Sequence, residues 1–323
     1  MEIPQSGEDP ETNPTMQGYD ELRDGAAWLE MSGRGKIRVA GEDRARFLHA
    51  MTTNHIQQLT PGKGCYAFFL TAQGRILADV NVLCRPDSFL LDTEPAALQK
   101  VLEHLDKFII ADDVTLEDLT PTLTTIAVEG PRFPDVLSAA TAPALEAGYG
   151  DNVEWGSGLL ASLSVTGSPG VFIILPTAEK AEILRRIGRA GAVPADEEAF
   201  RVVRLEHGKP RDGEDISERY LALEANQTAA LHFHKGCYLG QEIVERVRSR
   251  GLLQRVLRAV EIDGRTPPEP RTKLQIDGTS VGEITSAAYS PALGKVVALA
   301  YLRVAQAETG TEMIVGETRA RVR

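Results

Sequence analysis

The chain has 323 residues, of which 42% are hydrophobic and 25% charged, and this suits two or three globular domains with buried cores. Its formal net charge of -11 argues against a general nucleic-acid-binding protein, because such proteins need a basic surface to displace counterions. The cysteines Cys65, Cys84 and Cys237 are too few and too scattered for a disulfide framework, and they are typical of a reducing compartment.

The N-terminal segment is acidic. The first 30 residues carry eight acidic side chains and a single basic one, Arg23, whereas secretory and mitochondrial leaders are basic and acid-poor. No apolar run reaches the roughly 20 residues that cross a bilayer. We therefore expect a cytoplasmic protein without membrane contact. Residues 1–17 predict a disordered acidic tail, with order beginning near Tyr19.

The next segment alternates strands with helices. A strand over Lys36–Ala40 precedes a helix over Arg44–Met51, for which Asp43 is the predicted N-cap. Three strands and a second helix follow: Tyr66–Leu70, Ile76–Leu83, Phe89–Leu91 and Pro95–Phe108.

Residues 124–194 predict a small inner α+β subdomain. Its strands and helices are Thr124–Val128, Phe133–Ala140, Leu160–Val165, Val171–Leu175 and Ala178–Ala190.

A helix over Glu197–Glu206 comes next. From residue 256 to 323 short β-like runs are divided by Gly and Pro, which predicts a small antiparallel barrel or sandwich.

Cys237 lies in the segment Leu231–Arg250, just before a helix that is predicted to begin near Gly240–Gln241. A thiol near a helix N-terminus and beside a cation, here Lys235, favours its thiolate form. The plainer alternative is a packing cysteine with a lysine nearby by chance. The upstream histidines His232 and His234 offer metal ligands, but no second cluster completes a set, so we predict no metal site.

Two further groups of charged residues are candidates for binding. Arg204 and Glu206, at the end of a helix, suit the carboxylate or the N–H edge of a pterin-type ligand, although the sequence alone favours an ordinary ion pair at an exposed helix end. The second group fits a polyanionic ligand or a solvated helix face: Arg246, Arg248, Arg250, Arg255 and Arg258.

These segments together resemble the YgfZ/GcvT family from about Tyr19 to the C-terminus. The stretch 46–80, RFLHAMTTNHIQQLTPGKGCYAFFLTAQGRILADV, resembles the N-terminal signature of that family. The stretch 204–215 is similar to its Arg-x-Glu-x-Gly-x-x-x-x-Gly-x-Asp segment. Lys235–Glu242, KGCYLGQE, matches the motif of the YgfZ branch, and 282–301 resembles a run in the C-terminal barrel.

The resemblance implies an α+β, aminomethyltransferase-like (GcvT-like) folate-binding fold. This fold has two intertwined α/β lobes, here over 18–255, and a C-terminal antiparallel β-barrel over 256–323. Tetrahydrofolate would lie in a central cavity, with Cys237 and Lys235 as the functional pair. The residues expected around the folate are Tyr66, His55, Arg204, Glu206, Tyr238 and Gln241.

The YgfZ branch implies an accessory role in the maturation or repair of iron–sulfur proteins, and thereby in tRNA modification. The expected partners are iron–sulfur client proteins or a glutaredoxin-like protein, without direct nucleic-acid binding. The alternative is the sister branch, the T-protein, which transfers an aminomethyl carbon to tetrahydrofolate. A third possibility is a folate-binding scaffold that docks a partner through its arginines and its barrel.

Two departures from the T-protein pattern argue against one-carbon transfer. His55 occupies a position where we expect the T-protein to carry an Asp near the reacting nitrogen of folate. The run Val165–Phe172 replaces Tyr-Thr-Gly-Glu-x-Gly-x-Glu, so Phe172 stands where a Glu grips the pterin. Phe172 either lines the cavity or belongs to the core.

Overall fold

The computed structural model describes residues 16–146 and 148–323. The predicted tail therefore lies, for residues 1–15, outside the described residues. The α-helices are α1 Tyr19–Asp24, α2 Arg44–Met51, α3 Leu98–Asp106, α4 Phe133–Ala139, α5 Lys180–Arg189, α6 Glu197–Glu206 and α7 Gln241–Arg250.

The strands form two sheets and a barrel. The first eleven are β1 Ala27–Glu30, β2 Gly35–Ala40, β3 Gly64–Leu70, β4 Ile76–Cys84, β5 Ser88–Thr93, β6 Thr115–Asp118, β7 Leu123–Glu129, β8 Asn152–Trp155, β9 Gly158–Ala161, β10 Gly170–Pro176 and β11 Val193–Pro194. The last six are β12 Arg255–Ile262, β13 Lys273–Ile276, β14 Thr279–Ser290, β15 Lys295–Arg303, β16 Glu312–Val315 and β17 Thr318–Val322.

The first sheet is antiparallel, in the order β3-β4-β5-β2-β6. Helix α2 buries Phe47, Leu48 and Met51 against it, as the periodicity predicts. Asp43 is the N-cap residue of α2, as predicted, but its side chain makes no cap hydrogen bond. Its carboxylate instead accepts from the backbone N–H of Asp113, at 2.9 Å, and so ties α2 to the loop that enters β6.

The second sheet has the order β11-β1-β7-β10-β9-β8. Helices α4 and α5 cover one face, and the other face contributes to the largest core. Strand β1 is not among the predicted elements. It pairs with β7 and β11, so a segment from before the first sheet completes the second. This crossing of the chain makes the two lobes intertwined.

The C-terminal strands close into a barrel, in the order β12-β15-β14-β13-β16-β17. The 12-residue strand β14 is missing from the predicted elements because Gly282 and six Thr, Ser and Glu residues break its apolar pattern. Helix α6 lies where the lobes and the barrel meet. It contacts α1, β14 and β15, and it buries seven of its ten residues. A charged residue on α6 is therefore placed at the centre of the molecule.

Candidate functional site

A polar cavity lies between the two sheets, beneath the loop that follows α6. Its outer chamber is about 190 Å³ and its inner chamber about 40 Å³. The chambers share five lining residues: Arg34, Glu94, Val165, Arg204 and Arg211. The outer chamber has room for a ring system, whereas the inner one admits only the edge of a ring.

The inner chamber is lined by hydrogen-bonded side chains from β3, from β4 and from the loop before β8. The hydroxyl of Tyr66 donates to Asp79 at 2.7 Å, and that of Tyr149 donates to Asn81. Asp79 and Asn81 are two residues apart on β4 and therefore share a face. Burial raises the pKa of Asp79 to about 6, although the hydrogen bond from Tyr66 opposes the shift.

The arginines of the cavity are already paired. Arg34 donates through Nε and Nη2 to the two oxygens of Asp92, at 2.8 Å each, and through Nη1 to Glu94. Arg211 donates to the other oxygen of Glu94 at 2.9 Å. Burial alone would raise the pKa of Glu94, but these two guanidinium groups bring it below its ordinary value.

Arg204 lies in both chambers and is 1% exposed. Its guanidinium donates to Asp215 at 2.7 Å and to Glu214 at 2.6 Å. Asp215 also accepts from the hydroxyls of Thr285 and Ser286, both on the barrel strand β14. Arg204 Nε has no hydrogen-bond partner and remains a buried, unused donor.

Two carboxylates of the inner chamber have no ion-pair partner among the described residues: Asp79 and Asp212. Burial raises the pKa of Asp212 to about 8, and the negative charge of Asp79 adds to the shift. Lys209, from the same loop, donates to the carbonyl of Ser164. Neither aspartate is therefore held by an ion pair, and both keep acceptor oxygens for a ligand.

Phe172 gives the inner chamber an apolar wall. It is 1% exposed and lies on β10, with the guanidinium carbon of Arg34 5.5 Å from its ring centroid. The sequence left two possibilities for Phe172, a cavity wall or a core residue. The structure shows both, because Phe172 lines the cavity and also belongs to the largest core.

Cys237 lies on the surface and does not line this cavity. The loop that carries it is fixed to the end of α2. Nζ of Lys235 donates to the backbone carbonyls of His49, Thr52 and Asn54, the last two at 2.6 and 2.9 Å. All three N–H groups of the ammonium are thereby used at the carbonyl end of a helix, where a cation is favoured.

Backbone contacts join the same two segments. The N–H of His232 donates to the carbonyl of Thr53 at 3.0 Å, and that of Leu239 to the carbonyl of Ala50 at 3.1 Å. The hydroxyl of Thr53 donates to Ala230 at 2.6 Å. The Thr-Thr-Asn stretch after α2 and the Lys-Gly-Cys stretch thus form one unit, which presents the thiol outward.

Histidines pack beneath this loop. The rings of His49 and His55 are 4.6 Å apart, and those of His55 and His232 are 5.1 Å apart. Burial lowers the pKa of His49 to about 4, and the charge of Lys235 contributes. Within residues 16–146 and 148–323, no group of three or more His, Cys, Asp or Glu side chains is arranged to hold a metal ion.

The structure brings Tyr66 and Arg204 to the cavity but separates from it four other residues that we expected around the folate. His55 packs between His49 and His232. Glu206 accepts from Ser290 at 2.6 Å and from Tyr19, because it faces α1 and the barrel. Tyr238 is buried 4.9 Å from Lys235, and Gln241 accepts from the N–H of Tyr238 at 3.4 Å.

Several residues of the cavity are absent from the sequence-based prediction: Arg34, Asp79, Asn81, Glu94 and Asp212. A signal existed for Asp79 and Asn81, which are polar residues at alternate positions of a predicted strand with an apolar opposite face. Arg34, Glu94 and Asp212 lie outside the predicted strands, and only the folded chain brings them together.

Comparisons with known proteins agree with this architecture. Residues 6–235 match the family model for the GCVT N-terminal domain, and residues 255–323 match that for the glycine cleavage T-protein C-terminal barrel domain. The chain belongs to the GcvT family. The predicted fold, GcvT-like with an antiparallel C-terminal barrel, is thereby confirmed.

Relatives within and near this family are distant in sequence. An aminomethyltransferase of Rubrobacter xylanophilus is 29% identical over 93% of this chain and 82% of its own length. A chloroplastic protein of Arabidopsis thaliana, At1g60990, named a transferase without a stated substrate, is 26% identical over 93% of this chain and 71% of its own length.

A solved structure shows the same GcvT fold. The glycine cleavage system aminomethyltransferase T from Bartonella henselae superimposes with a TM-score of 0.87 at 22% identity, over 94% of this chain and 86% of that one.

Among the described residues, the longest helices have ten residues, and none is long and apolar enough to cross a membrane.

Proposed function

We propose that the chain is a tetrahydrofolate-binding accessory protein of the YgfZ branch, and that it assists the maturation or repair of iron–sulfur proteins through Cys237. The observation that carries this proposal is the exposure of Cys237 on a loop fixed by Lys235. A thiol that is to meet a large protein client must project from the surface, and a rigid loop limits the entropy lost on contact.

The central cavity supports the folate part of the proposal. It combines an apolar wall at Phe172, an unused N–H donor at Arg204 and two carboxylates that form no ion pair among the described residues. A reduced pterin has a flat face, a ring carbonyl and several N–H donors. Each feature of the cavity thus has a complement on that ring.

The partners we propose are an iron–sulfur client or a glutaredoxin-like protein that reaches Cys237, with no direct nucleic-acid contact. The sulfur would serve the client as a transient iron ligand or as a redox partner. We place this activity in the cytoplasm, where a reducing poise preserves thiols; none of the three cysteines is in a disulfide.

Complementation of a YgfZ-deficient strain tests the role of the thiol. Cys237→Ala should abolish complementation while tetrahydrofolate binding and thermal stability stay at the wild-type level, because the thiol is exposed and outside the cavity. Cys65→Ala, in the similar sequence Lys-Gly-Cys-Tyr on β3, is the matched control and should complement. Full activity of the Cys237→Ala strain would exclude the proposal.

Aminomethyl transfer remains a second candidate because of Asp79. The absence of an acid at His55 argues against one-carbon chemistry, but the structure places a different carboxylate, Asp79, in the cavity beside Tyr66. Relatives that are named aminomethyltransferase also favour this candidate. Formation of methylene-tetrahydrofolate from an aminomethyl-loaded carrier protein, and its loss in Asp79→Asn, would establish this function; no product would exclude it.

A further inference from the structure

Two carboxylates of the inner chamber form no ion pair among the described residues, and Lys209, the lysine that lines it, donates to the carbonyl of Ser164. Each arginine that lines it is paired with a carboxylate other than Asp79 and Asp212: Arg34 with Asp92 and Glu94, Arg211 with Glu94, and Arg204 with Glu214 and Asp215. Asp79 accepts one hydrogen bond, from Tyr66, and no cation of the described chain pairs with either aspartate. Carboxylates that are removed from water without an ion pair are stabilised either by a proton or by a hydrogen-bond donor from a ligand.

A second observation is independent of the acids. Arg204 lines the same chamber and is 1% exposed, and its Nε–H has no acceptor among the described residues. A buried guanidinium donor without an acceptor is uncommon, because the loss of its hydrogen bond to water is not compensated. The chamber therefore presents acceptors at the aspartates and a donor at Arg204.

We propose that Asp79 and Asp212 form a paired-carboxylate subsite for the N–H edge of a reduced pterin, with Arg204 Nε as the donor to the ring carbonyl. Asp212 is then a ligand-binding residue in its own right. This inference rests on the folate binding proposed above and adds the orientation of the ring: its N–H groups enter the inner chamber and the remainder fills the outer one.

The subsite couples binding to proton release. The raised pKa values of Asp79, to about 6, and Asp212, to about 8, mean that the empty pair keeps a proton near pH 7. N–H donors prefer ionised acceptors, so the ligand expels that proton, and affinity rises with pH between about 6 and 8. The charged and titratable groups facing the pair are Arg34, Lys100, Arg204, Lys209, Arg211, Tyr66, Asp92, Glu94 and Tyr149.

Calorimetry with tetrahydrofolate under anaerobic conditions tests the subsite. Titrations at pH 6, 7 and 8 in phosphate and in Tris, whose ionisation enthalpies differ, give the number of protons released. We expect the wild type to release protons at pH 7 and to bind more tightly at pH 8 than at pH 6. Asp212→Asn should bind about tenfold more weakly at pH 8, with little proton release at pH 7.

The control is Asp87→Asn, which removes an exposed carboxylate paired with Arg38 far from the chamber and should match the wild type. Equal affinity and equal proton release in Asp212→Asn would overturn the inference and leave folate binding intact. Absence of proton release in the wild type would overturn it without any variant. No tetrahydrofolate binding at any pH would instead remove the proposed function itself.

Discussion

At the scale of single residues, the ammonium group of Lys235 contacts different partners from those that the sequence predicts. The neighbourhood of Lys235 and Cys237 predicts a cation beside a thiol, but the ammonium is engaged by three carbonyls at the end of α2. Burial lowers the pKa of Lys235 to about 7, and the interaction with Cys65 opposes the shift. Only the charged form of Lys235 has three N–H donors for these carbonyls. Lys235 therefore positions the thiol loop.

Replacement of Lys235 tests this role. Lys235→Met keeps the length of the side chain but leaves three carbonyls without their donor, so the free energy of unfolding should fall by roughly 2–4 kcal/mol. Urea denaturation measures the change, and hydrogen exchange should rise over residues 229–239. Lys107→Met, an exposed lysine after α3, is the control and should unfold like the wild type. Equal stability of the two variants would contradict the assignment.

Thiol accessibility gives a second residue-scale prediction. Cys237 is exposed, whereas burial raises the pKa of Cys65 to about 12 and also raises that of Cys84. Because the thiolate is the form that alkylates, iodoacetamide at pH 8 should modify Cys237 first and leave the other two intact in the folded protein. Peptide mass spectrometry checks the order; early labelling of Cys65 would show that its burial is transient.

At the scale of elements, α7 lies between two glycines in the left-handed region. Gly240, with φ +84°, precedes it, and a Cβ there would lie 2.6 Å from the carbonyl oxygen of Thr71. Gly251, with φ +61°, follows it and has nothing within 4 Å of that position. The two glycines thus share a backbone conformation and differ in the space around them.

Alanine at each position separates these effects. Gly251→Ala should lower the free energy of unfolding by about 1 kcal/mol, from backbone strain alone. Gly240→Ala should cost about 3 kcal/mol, because the loop must also move away from Thr71, and this displaces Cys237. Thermal denaturation of both variants gives the comparison. Similar losses of unfolding free energy in the two variants would mean that the backbone at Thr71 moves away at little cost.

Much of the element pattern was predictable, for identifiable reasons. Helix α6 has apolar residues at helical spacing after Asp196, whose side chain accepts from the N–H of Ala199, and both predicted ends agree with the structure. The hairpin of β3 and β4 follows from alternation around Gly74. Strand β1 was not predictable, because a four-residue strand is recognised only by its partners β7 and β11.

The candidate site was only partly predictable. Tyr66 and Arg204 lie in segments with recognisable motifs, and both line the cavity. Asp212 and Glu94 are 118 positions apart in the chain, and Arg34 lies in a turn, so nothing local in the sequence indicates that they share one chamber. Proximity in sequence also misled: Glu206 follows Arg204 by two residues, but on a helix this spacing directs the two side chains to different faces.

At the scale of the whole molecule, Asp215 joins the barrel to the lobes. It is fully buried and accepts from Arg204 on α6, from the N–H of Arg211, and from Thr285 and Ser286 on β14. One carboxylate oxygen accepts the two hydrogen bonds from Arg204 and Arg211, and the other accepts the two from the barrel. Asp215 is therefore a buried charged group through which the barrel is held against the lobes.

Substitution of Asp215 should therefore loosen the barrel. Asp215→Asn removes one of the two carboxylates that pair with the buried Arg204, the other being Glu214, and a loss of roughly 3 kcal/mol in the free energy of unfolding is expected. Cleavage by protease near residues 251–254, the connection to β12, should accelerate. Asp135→Asn breaks an exposed pair with Arg132 and should change stability by less than about 1 kcal/mol. Equal protease resistance would refute the coupling.

The path of residues 27–40 has a consequence for how the chain can be divided. Strand β1 belongs to the second sheet and β2, a few residues later, to the first. The second sheet therefore cannot be completed by residues 123–194 alone, and an expressed fragment with those bounds would expose the edge of β7 to self-association. Successful truncations must keep both sheets, and folding should show one cooperative transition for the pair of lobes.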